Sequence, residues 1–223
     1  MFPGRKFAAF LFDMDGTLLN SIAAAERVWA AWAMRHGLDV ASFLPTIHGM
    51  RAIETITRLA LPGVDPIREA KELAAAEIAD VEGVVPIAGV TDFLASLPAK
   101  RWAIVTSSPR ELALKRMAVA GIPMPHILVT GEDVTRGKPA PDCFLLAAER
   151  LGVDASDCLA FEDAPAGIAA ASASGAEVVV ITATHQHPLE TPHAAIASYE
   201  EVRAIAREDS WIGFEPMLLA EAG

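Results

Sequence analysis

Cysteine is scarce in this chain: Cys143 and Cys158 are the only two among 223 residues. A disulfide framework is thereby excluded as the basis of the fold, and a reducing compartment suits the sequence. Cys143 falls in a helical pattern and Cys158 opens an apolar strand pattern, so both read as small core residues rather than nucleophiles. Positive charge is also short, with 18 Lys and Arg against 29 Asp and Glu and a formal net charge of −11. That balance argues against nucleic acid and anionic membrane surfaces as partners. A phosphorylated substrate would need local Lys, Arg, main-chain N–H groups and a metal to overcome the overall field; the same surplus of acids serves solubility. Long apolar runs are missing too, since the one near the start stops at Asp13, far short of a bilayer span. Met1–Lys6 lacks the charged, apolar, then small pattern of a signal peptide, so the expectation is a soluble, cytoplasmic protein. Internal repeats and low-complexity tracts are absent.

What is present is enough apolar material, 52 % of residues, to bury a real core. Apolar, β-rich runs recur at Phe7–Phe12, Trp102–Val105, Ile127–Thr130, Leu159–Phe161 and Val178–Ile181, separated by Ala- and Leu-rich stretches of helical spacing. This is the alternation of βαβ units around a parallel sheet, an α/β fold. Pro109, Pro141 and Pro165 mark helix starts, and Gly121, Gly152 and Gly175 mark helix ends. The alternation breaks once. From Ser21 to about Val85 the pattern is helical only, with stripes at Val28, Trp29, Trp32 and Ala33, then Ile53, Ile56, Leu59 and Ala60, then a third helix over Leu73–Val81. We read this as a helical cap, residues 21–86, inserted into a core of residues 1–20 and 87–223, with hinges near Leu19–Ile22 and Val84–Gly89. The residues after Ser210 carry no clear assignment.

The chemistry concentrates where apolar strands end, the edge at which open α/β sheets bind ligands. Phe7–Phe12 runs into Asp13-Met14-Asp15-Gly16-Thr17, two carboxylates two residues apart in a turn that glycine permits. Close carboxylates repel, so a cation is expected beside them, and magnesium prefers oxygen ligands shared with phosphate. Thr106-Ser107-Ser108 follows Trp102–Val105, where hydroxyls and turn N–H groups can bind phosphate oxygens or simply cap the next helix. Arg136-Gly137-Lys138-Pro139-Ala140-Pro141-Asp142 sets a lysine between rigid flanks; it reads either as a solvated loop lysine or as a counter-charge to a phosphoryl group. Leu159–Phe161 ends in Glu162-Asp163, a second acidic pair, although Asp163 also suits a cap for the helix at Pro165. Two acid pairs and a lysine on one sheet edge favour a metal-assisted phosphoryl site.

With these four segments in this order, the chain resembles the haloacid dehalogenase superfamily, in the branch that contains β-phosphoglucomutase and sugar or polyol phosphatases. The resemblance spans nearly the whole core and implies a Rossmann-like, three-layer parallel-sheet core with a small helical cap. It implies that Asp13 is the nucleophile that becomes an aspartyl phosphate, and Asp15 the acid–base. Thr106 would hold a phosphoryl oxygen and Lys138 would steady the nucleophile. Magnesium would be held by Asp13, Asp163 and the Asp15 main-chain carbonyl, with Glu162 as an outer-shell partner. Ser107, Ser108, His48, Gly49, Arg51 and Arg110 are candidates for substrate binding, although His48 and Arg51 read equally as polar residues of a helix-connecting loop.

Two departures matter. Relatives often carry aspartate where this chain has Asn20, at the cap hinge, and the mutases carry a cap histidine where this chain has Ala25. The second departure favours hydrolysis. The expected function is a magnesium-dependent phosphatase for small phosphorylated metabolites, acting as a monomer or weak homodimer. The alternatives are a hexose-phosphate mutase, a dehalogenase and a non-enzymatic phosphoacceptor module. His185, His187 and His193 invite a zinc reading, but without a matching acid or cysteine framework they read as a solvated loop after the last strand. Trp29 and Trp32 read as packing residues of the cap.

Overall fold

A computed structural model describes residues 2, 4–187, 189–206 and 211–217 of the chain. The chain opens with β1 (Lys6–Phe7) and β2 (Ala9–Phe12), passes through the short β3 (Leu19–Asn20), and enters helices α1 (Ile22–Arg35), α2 (Val40–Phe43), α3 (Ala52–Leu59) and α4 (Pro66–Ala79). It returns by β4 (Val85–Pro86) and then alternates through α5 (Val90–Ala95), β5 (Trp102–Val105), α6 (Arg110–Ala120), β6 (Ile127–Val129), α7 (Asp142–Leu151), β7 (Cys158–Glu162), α8 (Pro165–Ala173) and β8 (Glu177–Ile181). Three further strands follow: β9 (Ala194–Ile196), β10 (Val202–Ala206) and β11 (Ile212–Pro216).

Six strands make one parallel sheet in the order β6-β5-β2-β7-β8-β9. The central β2 lies between β5 and β7, so the chain's crossovers leave it on both sides and open a crevice at its carboxyl end. The register sets Phe12 opposite Ile104 on one side and Phe161 on the other, and the Asp13 N–H donates to the Phe161 carbonyl at 2.9 Å. The residues that follow these strands therefore emerge side by side.

Alternation along each central strand sorts side chains by size. Phe10, Phe12, Trp102, Ile104, Leu159, Phe161, Val179 and Ile181 face one side, where they pack with Phe93, Tyr199 and Phe214. Phe12 stacks on Phe161 at 4.5 Å between ring centroids. Ala9, Leu11, Ala103, Val105, Cys158, Ala160, Val178 and Val180 face the other, against Phe144, Ala147, Ala148, Ala170 and Ala171 of α7 and α8. Both cysteines are free and buried in this second layer.

The helices between β3 and β4 bury a core of their own, including Trp29, Trp32, Phe43, Ile47, Ile56 and Leu73. The block is joined to the sheet by the antiparallel β3–β4 ladder, Leu19 opposite Pro86 and Asn20 opposite Val85. Asn20 accepts the Ile22 N–H through its side chain at 3.1 Å, fixing the entry into α1. Among the described residues no helix is long and apolar enough to cross a membrane.

Four expectations need correction. The first apolar run is not one strand: it bends at Ala8, whose N–H goes to the Asp157 carbonyl, and β1 pairs with β11 in a separate sheet, β1-β11-β10. The helix expected over Leu73–Val81 is the fourth of the block, α4, and it runs from Pro66, where the Asp65 carboxylate caps the Ile67 and Arg68 N–H groups, only to Ala79. Strand β8 is not the last of its sheet, since β9 adds beside it. Beyond the unassigned point at Ser210, Ile212–Pro216 is a strand; residues 207–210 and 218–223 lie outside the described residues.

Within the helical block, the Glu69 carboxylate accepts from the Trp32 indole at 2.9 Å, Arg35 at 2.8 Å and Arg68 at 3.2 Å, with the His36 ring at 3.4 Å. The Trp32 hydrogen bond leads in bringing this carboxyl down from 4.5 to about 2, with burial opposing. A depressed folded-state value stabilises the fold above the unfolded value, and that stability is lost as pH falls from 4.5 toward about 2. Glu69→Ala therefore destabilises the protein by about 1–3 kcal/mol at neutral pH, because the Trp32 N–H is left buried and unpaired. Urea unfolding should show the gap to wild type narrowing as pH falls across that window; a pH-independent gap would contradict the assignment.

Candidate active site

The site begins with a charge problem. Asp13 follows β2, Glu162 ends β7, Asp163 follows it, and all three are buried. Lys138, itself 1 % exposed, donates to Asp13 Oδ1 at 2.5 Å, Glu162 Oε1 at 2.5 Å and the Val105 carbonyl at 3.1 Å. Its Nζ lies 5.3 Å from the Phe144 ring centroid, against the cationic end of the stem. Burial works against the lysine's charge, but the Asp13 and Glu162 carboxylates hold its proton more firmly than usual. Burial also raises the Asp13 carboxyl, with Glu162 adding to it and Lys138 opposing. Asp163 is raised for the same reason, by burial first and then by Asp13 and Glu162.

The backbone is shaped to admit these groups. Gly16, at φ +88°, lies so close to the Asp163 carboxylate that a Cβ there would overlap it. Gly167 on α8 makes the same room for the Glu162 carboxylate. Glu162 is fully engaged: Oε1 takes the lysine, and Oε2 accepts the N–H groups of Asp163 at 3.0 Å and Ala164 at 3.3 Å. Asp163 Oδ1 receives a longer bond, 3.3 Å, from the Thr17 hydroxyl.

Asp13, Glu162 and Asp163 each present an oxygen within 4.8 Å of the others, and among the described residues this is the group of that kind that can hold a metal ion. The donor set fits a hard divalent cation: all oxygen, anionic, and left with more negative charge than one lysine neutralises. His185, His187 and His193 do not form such a group; the His185 ring is 2.9 Å from the Asp163 carbonyl and His193 is 3.4 Å from the Ser172 hydroxyl.

A cavity opens between this cluster and the helical block, lined by Asp13, Asp15, Thr106, Ser107, Ser108 and Asp163 on the sheet side. His48, Gly49, Ala25 and Trp29 line it from the helices. Asp15 Oδ1 accepts from Ser21 at 2.6 Å and Arg116 at 2.9 Å, and Oδ2 accepts from Ser108 at 2.9 Å. Thr106 Oγ1 accepts the Ser108 N–H at 3.1 Å, which shapes the turn. The Ser107 hydroxyl donates to the Gly49 carbonyl at 2.8 Å, and His48 meets Glu26 at 3.1 Å.

The two arginines expected to meet substrate do not line this cavity. Arg51 donates to the carbonyls of Gly131, Val134 and Thr135 at 2.7–3.0 Å and to Glu54 at 2.5 Å, while Glu54 accepts the Gly137 N–H at 2.9 Å. The guanidinium fork matches a curved loop of carbonyls, so it clasps the loop that leads to Lys138. Arg110 turns to the Leu128 carbonyl at 3.3 Å and to Asp133 at 3.6 Å. Conversely, Arg116, Glu77 and Ser21 line the cavity, and no local pattern in the sequence singles them out. Trp29 packs against Trp32 and Phe43, as its spacing suggests, and lines the cavity as well.

Known proteins resemble this chain in sequence and in fold. A family model described as haloacid dehalogenase-like hydrolase matches residues 7–175. The chain is 41 % identical over 188 residues to hexitol phosphatase A of Escherichia coli (strain K12), covering 82 % of this chain and 85 % of that protein. It is 36 % identical over 183 residues to validoxylamine A 7'-phosphate phosphatase of Streptomyces hygroscopicus subsp. limoneus, covering 78 % and 85 %. In fold it is similar to the solved β-phosphoglucomutase of Clostridium difficile, with a TM-score of 0.72 at 20 % identity over 86 % of this chain and 91 % of that one. With a buried carboxylate–lysine cluster on the carboxyl edge of a parallel sheet and matches of this extent, the chain belongs to the haloacid dehalogenase-like hydrolases.

Proposed function

We propose that the protein is a magnesium-dependent phosphatase of small phosphorylated sugars or polyols, working through an aspartyl phosphate on Asp13. The observation that carries this reading is the buried group of Asp13, Glu162 and Asp163 around Lys138, facing Asp15 and Thr106 across one cavity. The names of the two relatives, a hexitol phosphatase and a validoxylamine phosphate phosphatase, support the substrate class. Residues 21–86 act as a cap over a core of residues 1–20 and 87–223, and the cavity between them suits a small molecule.

The Asp13 carboxylate attacks phosphorus, and the bond from phosphorus to the alcohol oxygen breaks as Asp15 gives that oxygen a proton. Asp15 then takes a proton from water as the water attacks the aspartyl phosphate, which frees inorganic phosphate and restores Asp13. Thr106 holds a phosphoryl oxygen, and Lys138 keeps the Asp13 carboxylate in place while offsetting charge on the transferring group. The carboxylates of Asp13 and Asp163 and the Asp15 main-chain carbonyl would hold magnesium, which would supply further positive charge to the phosphoryl oxygens. Glu162 acts from behind, since both its oxygens are spent on Lys138 and main-chain N–H groups. Ala25 in the cavity wall offers no group to move a proton, which supports hydrolysis over a mutase cycle.

Phosphate release from a panel of sugar and polyol phosphates tests the reading. Activity should vanish with EDTA, return with magnesium, and be absent in Asp13→Asn; wild-type-like turnover by that variant would end the mechanism. Asp15→Ala should retain a trace, about 10²–10⁴-fold below wild type. Lys138→Ala leaves the buried carboxylates of Asp13 and Glu162 without their cation, so urea unfolding in EDTA should show a loss of about 3–5 kcal/mol. An unchanged unfolding midpoint there would mean the cluster does not depend on its lysine.

A further inference from the structure

The side of the cavity that receives the leaving alcohol can be located from Asp15. If Asp15 hands a proton to the alcohol oxygen, the carbon skeleton attached to that oxygen must lie beside Asp15. The neighbours there are Arg116 of α6, which reaches Asp15 Oδ1 at 2.9 Å through one terminal nitrogen, and Glu77 of α4, which accepts from the other at 3.0 Å. All three line the cavity. One guanidinium thus bridges the acid–base and a carboxylate of the helical block.

Two polar atoms in this bridge have no partner among the described residues. Arg116 Nε is buried and makes no hydrogen bond, and Glu77 uses Oε1 for Arg116 while Oε2 receives none. Arg116 Nε is closed off from the cavity, so the Glu77 Oε2, on a residue that lines it, is the acceptor an alcohol hydroxyl can meet. Charge argues in the same direction. Arg116 is already shared by two carboxylates, and His48, the other basic side chain in the lining, is paired with Glu26. Among the described residues no free cation is left in this wall for a second phosphate or a carboxylate, and Glu77 and Asp15 would repel one.

We infer that Glu77, held by Arg116, is the specificity-determining residue for the leaving alcohol: it selects a neutral, polyhydroxylated alcohol and rejects one that carries a second anionic group. This rests on the phosphatase reading above. Its basis is a carboxylate with a free oxygen, fixed by Arg116, in the wall next to the acid–base.

The test compares kcat/KM for sorbitol 6-phosphate, fructose 1,6-bisphosphate and p-nitrophenyl phosphate, whose aryl group offers no hydroxyl. Glu77→Ala should lower the ratio of sorbitol 6-phosphate to p-nitrophenyl phosphate by about 10–100-fold, the range for a lost charge-assisted hydrogen bond. Glu77→Gln keeps the shape, removes the charge, and should raise the ratio of bisphosphate to monophosphate by about tenfold. An equal fall on sorbitol and nitrophenyl phosphates marks Glu77 as structural and overturns the inference. Should circular dichroism show Glu77→Ala unfolded, the Gln variant decides, and an unchanged bisphosphate ratio overturns it. Wild-type enzyme that cleaves p-nitrophenyl phosphate but no sugar or polyol phosphate defeats the proposed function itself, an outcome separate from either variant's result.

Discussion

One ammonium group holds two carboxylates from separate strands, and a third carboxylate sits beside them with no cation of its own. Unbalanced charge of that kind is tolerated only where the surroundings cannot relax away from it. The fold meets that condition by fixing the groups at their roots. Asp13 and Glu162 leave adjacent strands in register, Lys138 comes from a loop clasped by Arg51 and Glu54, and Gly16 and Gly167 give the carboxylates their space. Under the proposed function the shortfall of positive charge is also useful, because a cation bound there would offset charge on both the carboxylates and a phosphoryl group.

The sheet beneath has two unlike faces. Rings fill one, where Phe10, Phe12 and Phe161 meet Phe93, Tyr199 and Phe214; small side chains fill the other, under α7 and α8. Interiors packed at crystal-like density do not deform gradually. The charged cluster therefore rides on a rigid base, to which the helical block is joined by the β3–β4 ladder.

The acid pairs, the lysine segment and the strand ends were legible in the sequence because each is local: a run of apolar residues stops, and the chemistry follows within a few positions. The helix ends were legible for the same reason, Gly121 and Gly152 taking the left-handed conformation that closes α6 and α7. Arg116 was not legible. Its partners lie 101 and 39 residues away, and within Arg110–Ala120 it is one basic residue among several. The late strands escaped because β9 is three residues long and gains its stability from pairing with β8, while β11 binds the distant β1. Arg51 and Arg110 were recognised as arginines near the site, but which way a long side chain turns depends on loops that only the folded chain brings close.

The seam between the helices and the sheet has a property of its own. Arg51 grips carbonyls, Glu54 takes a main-chain N–H, and Ser107 meets the Gly49 carbonyl, so on one or the other side each of these bonds ends on backbone. Backbone atoms are the same whatever residue bears them. The loop from Gly131 to Gly137 can thus exchange most of its side chains without loosening the clasp, provided the path of the chain is kept. At this loop the fit is recognised by contour, unlike the Arg116–Glu77 ion pair elsewhere on the seam, which leaves the loop's outward chemistry free to change without altering how the two halves meet there.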